Sequence, residues 1–271
     1  MNPSPVSETL VVKLPSDYDD DIPPPLSDVP PDNLPCDDGE PMETPWHRAA
    51  MNLMIDVVGC HFRERDDFFV GGNMFVYYRH QQWSEELEST HFRGPDFFYV
   101  SGVERHRSRP YYAVWDEGGR YPNAIVELLS PTTEKIDRVD KRELYQNVFR
   151  TPEYFLCGAE VATLEGLRLT GGRGYEPILP NERGWLWSEQ LQLWLGPWTG
   201  TYLGDTMTWL RVYDASGQLV LRDEERMAER AEQEKQRAEQ EKQRADLAET
   251  EASRLRREVE ELRQQLSQKP Q

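Results

Sequence analysis

Two short apolar runs each carry one acid where a strand should stay apolar. They are Pro95-Asp96-Phe97-Phe98-Tyr99-Val100 and Ala124-Ile125-Val126-Glu127-Leu128-Leu129. A carboxylate in such a run costs several kcal/mol unless a cation or a hydrogen bond compensates it. A polar stretch with Lys135, Asp137, Arg138, Asp140 and Lys141 follows directly. Two such acids and a lysine suggest a metal site. Asp96 and Glu127 are the residue types for magnesium, a hard cation that takes oxygen ligands and keeps several waters. Such an ion can hold a scissile phosphate and activate a water, and a nearby ammonium stabilises the transition state. If residues 133–150 form a helix, Asp137, Lys141 and Tyr145 sit four apart on one face. The residues alone leave a second reading open, a buried acid pair satisfied by structural hydrogen bonds or by Lys141.

The elements that must position these groups can be read in order. Ala49, Leu53, Val57 and Cys60 recur at helical spacing from Trp46 to about Arg63, with Thr44 as N-cap and Pro45 at the first helical position. Phe68–Val70 and Met74–Tyr78 flank Gly71-Gly72-Asn73, which suits a β-hairpin. The Asp96 strand follows, then a strand over Tyr111–Trp115, a turn at Glu117-Gly118-Gly119 and a central strand over Ala124–Leu129. Thr132 or Thr133 is expected to cap the next helix, and Tyr154-Phe155-Leu156 gives one more strand. From 160 to 221 the pattern predicts short strands, with turns at Gly171-Gly172, Asn181 and Gly196-Pro197 and a hairpin over Val212–Val220. Trp185, Trp187, Trp194, Trp198 and Trp209 are expected to pack this half of the sheet.

The formal net charge is −18, which argues against a general nucleic-acid binder. Its distribution softens the objection: residues 1–45 hold 11 acids and 1 base, so most of the excess lies in the leader. A local basic patch and a divalent ion could still bring DNA to the core, with strong salt dependence. Arg105, Arg107, Arg109, Arg138 and Arg142 could contact phosphates or pair with surface acids. Residues 1–35, rich in Pro, Asp and Ser, are too poor in large apolar groups to order themselves. No run approaches a membrane span, and the start lacks the regions of a signal peptide. Cys36, Cys60 and Cys157 are far apart with no C-x-x-C pair, which suits reduced thiols in the cytoplasm rather than zinc. Past Arg222, Ala231–Arg237 repeats identically as Ala238–Arg244. This seven-residue period puts Ala245, Ala252, Val259 and Leu266 on one seam position and Glu234, Glu241, Ala248, Leu255 and Leu262 on the other. The expectation is a long charged helix over 222–271, either solvated alone or zipped into a homodimer in its C-terminal half.

Taken together, several motifs resemble a known family. They are Gly94-Pro95-Asp96, Val126-Glu127-Leu128-Leu129-Ser130-Pro131-Thr132-Thr133, then Asp137, Lys141, Tyr145 and Pro152-Glu153-Tyr154-Phe155. With Asp38-Gly39-Glu40-Pro41, Trp46-His47-Arg48, Gly71-Gly72-Asn73-Met74, Trp115-Asp116-Glu117-Gly118 and the heptad tail, they resemble the Uma family of restriction endonucleases, abundant in cyanobacteria. The resemblance spans roughly residues 36–270. It implies the PD-(D/E)XK nuclease superfamily, an α+β fold with a mixed sheet flanked by helices over 36–221, and magnesium-dependent (or manganese-dependent) hydrolysis of DNA. It makes Asp96 the first acid and Glu127 the second. The superfamily's lysine normally lies two residues after the second acid, where this chain has Leu129, and the family pattern implies Lys141 instead. It also implies that Asp137 orients Lys141 and that Glu40 and His47 line the same cleft. The competing reading is a catalytically inactive scaffold of the same fold that dimerises through its C-terminal helix.

Overall fold

The computed structural model describes residues 44–78, 92–130, 133–171 and 174–267. The acidic leader and Glu40 therefore lie outside the described residues, as do His80 and His91. The chain divides into two units, Met1–Val220 and Leu221–Gln271.

In the first unit, helix α1 spans Pro45–His61. It starts where the sequence reading places it: Thr44 Oγ1 accepts the His47 amide at 3.1 Å and Pro45 opens the first turn, satisfying an amide that has no partner within the helix. Its Ala49, Leu53, Met54, Val57 and Val58 are buried. The strands are β1 (Phe68–Gly71), β2 (Val76–Tyr77), β3 (Phe92–Arg93), β4 (Phe97–Ser101), β5 (Tyr112–Ala113), β6 (Ala124–Leu128), β7 (Glu153–Cys157), β8 (Leu164–Thr170), β9 (Gly174–Pro177), β10 (Leu186–Ser188), β11 (Leu193–Tyr202) and β12 (Asp205–Tyr213).

Six of them form a mixed sheet in the order β1-β4-β6-β7-β8-β9. Neighbours are antiparallel except β6 and β7, which run parallel. A parallel neighbour needs a crossover, and the helical run over 134–149 (α2) supplies it. β6 and β7 are buried along their whole length, as central strands covered on both faces must be. Side chains alternate between two cores. Phe97, Tyr99, Val126 and Phe155 pack with α1 and the β10-β11-β12 sheet. Phe98, Ile125, Tyr154 and Leu156 pack with Tyr145 and Phe149 of α2. Period-two alternation puts Glu127 on the α2 side with Ile125. The protein is thus α+β, with a mixed sheet between an N-terminal helix and a crossover helix.

Several local expectations are corrected. Phe68–Val70 and Met74–Tyr78 do not form a hairpin: β1 pairs with β4, and β2 pairs with β3 and β5. The glycines between them serve a close approach instead. A Cβ on Gly72 would stand 2.6 Å from the Asp96 carbonyl oxygen and 2.8 Å from Met51 Cγ. The strand over Tyr111–Trp115 shortens to β5, because Val114–Glu117 turns into a 3-10 helix. Thr133 does not cap α2 with its side chain, and Ser130 Oγ accepts the Thr133 amide at 3.1 Å; Thr132 lies outside the described residues. Gly196-Pro197 is no turn but lies inside the ten-residue β11. Of the tryptophans, Trp209 is fully buried, while Trp187 and Trp194 pack edge to face and are half-buried.

The second unit is helix α3, Asp223–Ser267, 45 residues long. No described helix is long and apolar enough to cross a membrane.

Candidate active site

β4 and β6 are antiparallel neighbours with Phe97 opposite Val126, so one step further Asp96 faces Glu127. The ladder ends there in side-chain bonds. Asp96 Oδ2 accepts the Leu128 amide at 2.7 Å, and the Asp96 amide lies 3.3 Å from Glu127 Oε2. The β1–β2 segment holds this corner from outside, with the Asn73 amide donating to the Pro95 carbonyl at 3.0 Å. Asp96 Oδ1 lies 2.8 Å from His47 Nε2, on the first turn of α1. His47 thus stands directly against Asp96.

Glu127 is fully buried. Tyr145 Oη donates to its Oε1 at 2.9 Å, and Lys141 Nζ lies 3.0 Å from its Oε2. The same ammonium lies 2.8 Å from Asp137 Oδ1. Asp137, Lys141 and Tyr145 therefore share one face of α2, though by a different winding from the one expected. The run includes two π-helical stretches, Asp137–Lys141 and Tyr145–Phe149. Such insertions re-aim side chains and recur at functional sites. Tyr154 Oη, from β7, donates to the Asp137 carbonyl at 2.9 Å and ties α2 to the sheet.

The cluster brings three carboxylates together with two basic side chains: Lys141 contacts Glu127 and Asp137, and His47 contacts Asp96. Burial is the largest influence on Glu127 and raises its pKa; Lys141 opposes this, Asp96 and Asp137 add to it, and the group is pushed up to about 8. Burial also acts against the Asp96 carboxylate. The His47 hydrogen bond and charge, Lys141 and the Leu128 amide outweigh it and hold Asp96 below its ordinary value. Burial works against the Lys141 ammonium, but the three surrounding acids raise it well above the ordinary lysine range. Burial, then Glu127, keeps the Tyr145 phenol protonated.

The donor set suits a hard divalent cation. It offers oxygen ligands from Asp96 and Glu127 beside the third carboxylate, Asp137. Among the described residues no three or more His, Cys, Asp or Glu side chains form a ready-made cage. Two carboxylates rather than a full cage suit an ion that keeps several waters.

Other candidates are engaged elsewhere. Arg105 donates to the Arg63 and Arg65 carbonyls, Arg107 to the Asp116 carbonyl, Arg109 to Glu117, and Arg138 to Glu134 and Glu165. Arg142 is exposed. Leu129, where the superfamily has its lysine, is buried in the α2-side core. The sequence reading missed one buried acid. Glu153 of β7 accepts from Arg168, from Ser188 Oγ and from the Glu189 and Gln190 amides. The signal was present, since Glu153 too is an acid opening an apolar run.

The Uma2 family model, described as "Putative restriction endonuclease", matches residues 32–198, which include Asp96, Glu127 and Lys141. A solved structure described as a "putative nuclease", from Anabaena variabilis, aligns at 12% identity over 56% of this chain and 76% of that one, with a TM-score of 0.41. No curated protein matches the chain.

Proposed function

Since the chain belongs to the Uma2 family, described as "Putative restriction endonuclease", we propose that it is an endonuclease that hydrolyses DNA phosphodiester bonds with magnesium or manganese, in the cytoplasm. The observation that carries this reading is the convergence at one corner of the sheet of Asp96, Glu127 and Asp137 with Lys141 and His47. Asp96 and Glu127 would hold the ion. When bound, a divalent ion neutralises phosphate charge and lowers the pKa of a bound water. His47 and the Leu128 amide fix the orientation of Asp96, and Tyr145 fixes that of Glu127. Lys141 presents its ammonium where negative charge grows on the phosphate oxygens, a role worth roughly 10²–10³ in rate for a well-placed donor. Asp137 steers Lys141 across one turn of α2.

A second reading has its own support. Each carboxylate oxygen of Asp96 and Glu127 already has a protein donor or cation within 3.3 Å, as expected of a structural pair in an inactive scaffold. Calorimetric titration of the full chain with magnesium and with manganese separates the two. The endonuclease binds the ion, Asp96→Asn and Glu127→Gln each abolish the binding heat, and both variants lose cleavage of plasmid DNA. A chain that takes up neither ion, or a double variant that still cleaves, would refute the proposal.

A further inference from the structure

The unused feature with the most information is α3. Its apolar side chains stand in water: Leu255 and Val259 are each about half exposed. They occupy the two seam positions of the heptad frame set by Ala231–Arg237, in which Ala245, Ala252 and Val259 share position a and Ala248 and Leu255 share position d. A half-exposed stripe of this period is buried by a second helix.

The residues flanking that stripe specify the partner and its direction. Positions g and e of facing helices pair in a parallel dimer, each g with the e five residues on in the other chain. Past residue 243 every such pair is of opposite sign. Arg244 meets the partner's Glu249, Glu251 meets the partner's Arg256, and Glu258 meets the partner's Arg263. Before it the signs clash: Arg230 would meet the partner's Lys235 and Arg237 the partner's Lys242, with Glu234 and Glu241 on the seam itself. An antiparallel pairing that sets Ala252 against the partner's Leu255 brings Glu251 beside the partner's Glu258, a like-charge contact. We propose that residues 244–266 are a self-recognition segment. It joins two copies of this chain as a parallel, in-register coiled coil, and the two preceding heptads remain unzipped. Both copies of residues 1–220 are then joined to the same end of the zipper. The dimer stands independently of the hydrolase reading.

The test uses the full chain. Sedimentation equilibrium across a wide concentration range should show a reversible dimer. Glu251→Arg sets like charges against the partner's Arg256 twice by symmetry, and should weaken dimerisation about tenfold, as expected for exposed pairs reversed in sign. The double variant Glu251→Arg/Arg256→Glu should restore it, with helicity by circular dichroism unchanged throughout. Val259→Cys with a mild oxidant should give a covalent dimer that the native cysteines do not give. A chain monomeric at every concentration, a dimer that survives Leu255→Lys, or a dimer whose Val259→Cys variant fails to cross-link would each overturn the proposal.

Discussion

Replacing Glu127 by Gln should make the protein more stable at pH 8 in the presence of a chelator. The substitution removes the fully buried one of the two carboxylates that contact the Lys141 ammonium. Geometry lets the amide fit. Its oxygen can face Lys141 and the Asp96 amide, now 3.0 and 3.3 Å from Glu127 Oε2, while its NH₂ donates to Tyr145 Oη in place of the present bond. Lys141 keeps Asp137 at 2.8 Å. The Glu127 pKa, raised from 4.5 to about 8, sets the sign. Between those values the folded protein holds a proton that the unfolded chain has released, so stability falls as pH rises through the window. The penalty is absent below pH 4.5 and complete above pH 8. At ~1.4 kcal/mol per pH unit it amounts to roughly 4–5 kcal/mol, and the poorer hydrogen bonds of an amide beside an ammonium reduce the gain to about 2–3 kcal/mol. The low pKa of Asp96 contributes stability that is lost only as pH falls below its ordinary value of 3.8, outside this window. Urea denaturation of both chains in chelator, at pH 5 and pH 8, provides the assay. The variant should lead at pH 8 and trail by about 1 kcal/mol at pH 5, where little of the penalty is present. Added magnesium should stabilise only the wild type, by ~2.7 kcal/mol at a hundred times its Kd. A variant less stable than wild type at pH 8, or a difference that does not change with pH, would refute the buried-charge argument.

The converse substitution, Lys141→Met, leaves the acids with no ammonium and should cost about 3–5 kcal/mol at pH 8 by urea denaturation, with much of the loss recovered at pH 5 as Glu127 protonates. Glu153→Ala removes the acceptor of the Arg168, Ser188 and two backbone bonds and should cost about 3 kcal/mol, yet leave the calorimetric heat of magnesium binding unchanged.

How much was legible beforehand follows from the range of the forces involved. α1 could be read because its signals are local: a threonine cap, a proline in the first turn and a stripe at helical spacing. The central strand could be read because β6 is apolar throughout except at Glu127. The pairing of β1 with β4 could not. Gly71-Gly72 carries the same letters whether the chain reverses in a hairpin or another backbone needs room, and the contact with the Asp96 carbonyl is tertiary. Gly196-Pro197 misled in the same way. β11 runs through it, with Pro197 opposite Leu210 of β12. The Lys141 side chain came within reach by arithmetic on a regular helix, whereas the π-helical stretches at Asp137–Lys141 and Tyr145–Phe149 depend on how α2 packs and leave no local mark.

An acid in an apolar strand signals a compensated charge, and this chain shows two kinds of compensation. Glu153 faces one guanidinium, which Glu189 shares, one hydroxyl and two amides; its hydrogen bonds are satisfied, and the group fastens β7 to β8 and to the segment after β10. Glu127 faces an ammonium that it shares with Asp137, and burial still raises its pKa to about 8, so its compensation is incomplete. Under the proposed function, a divalent cation would supply the remaining positive charge.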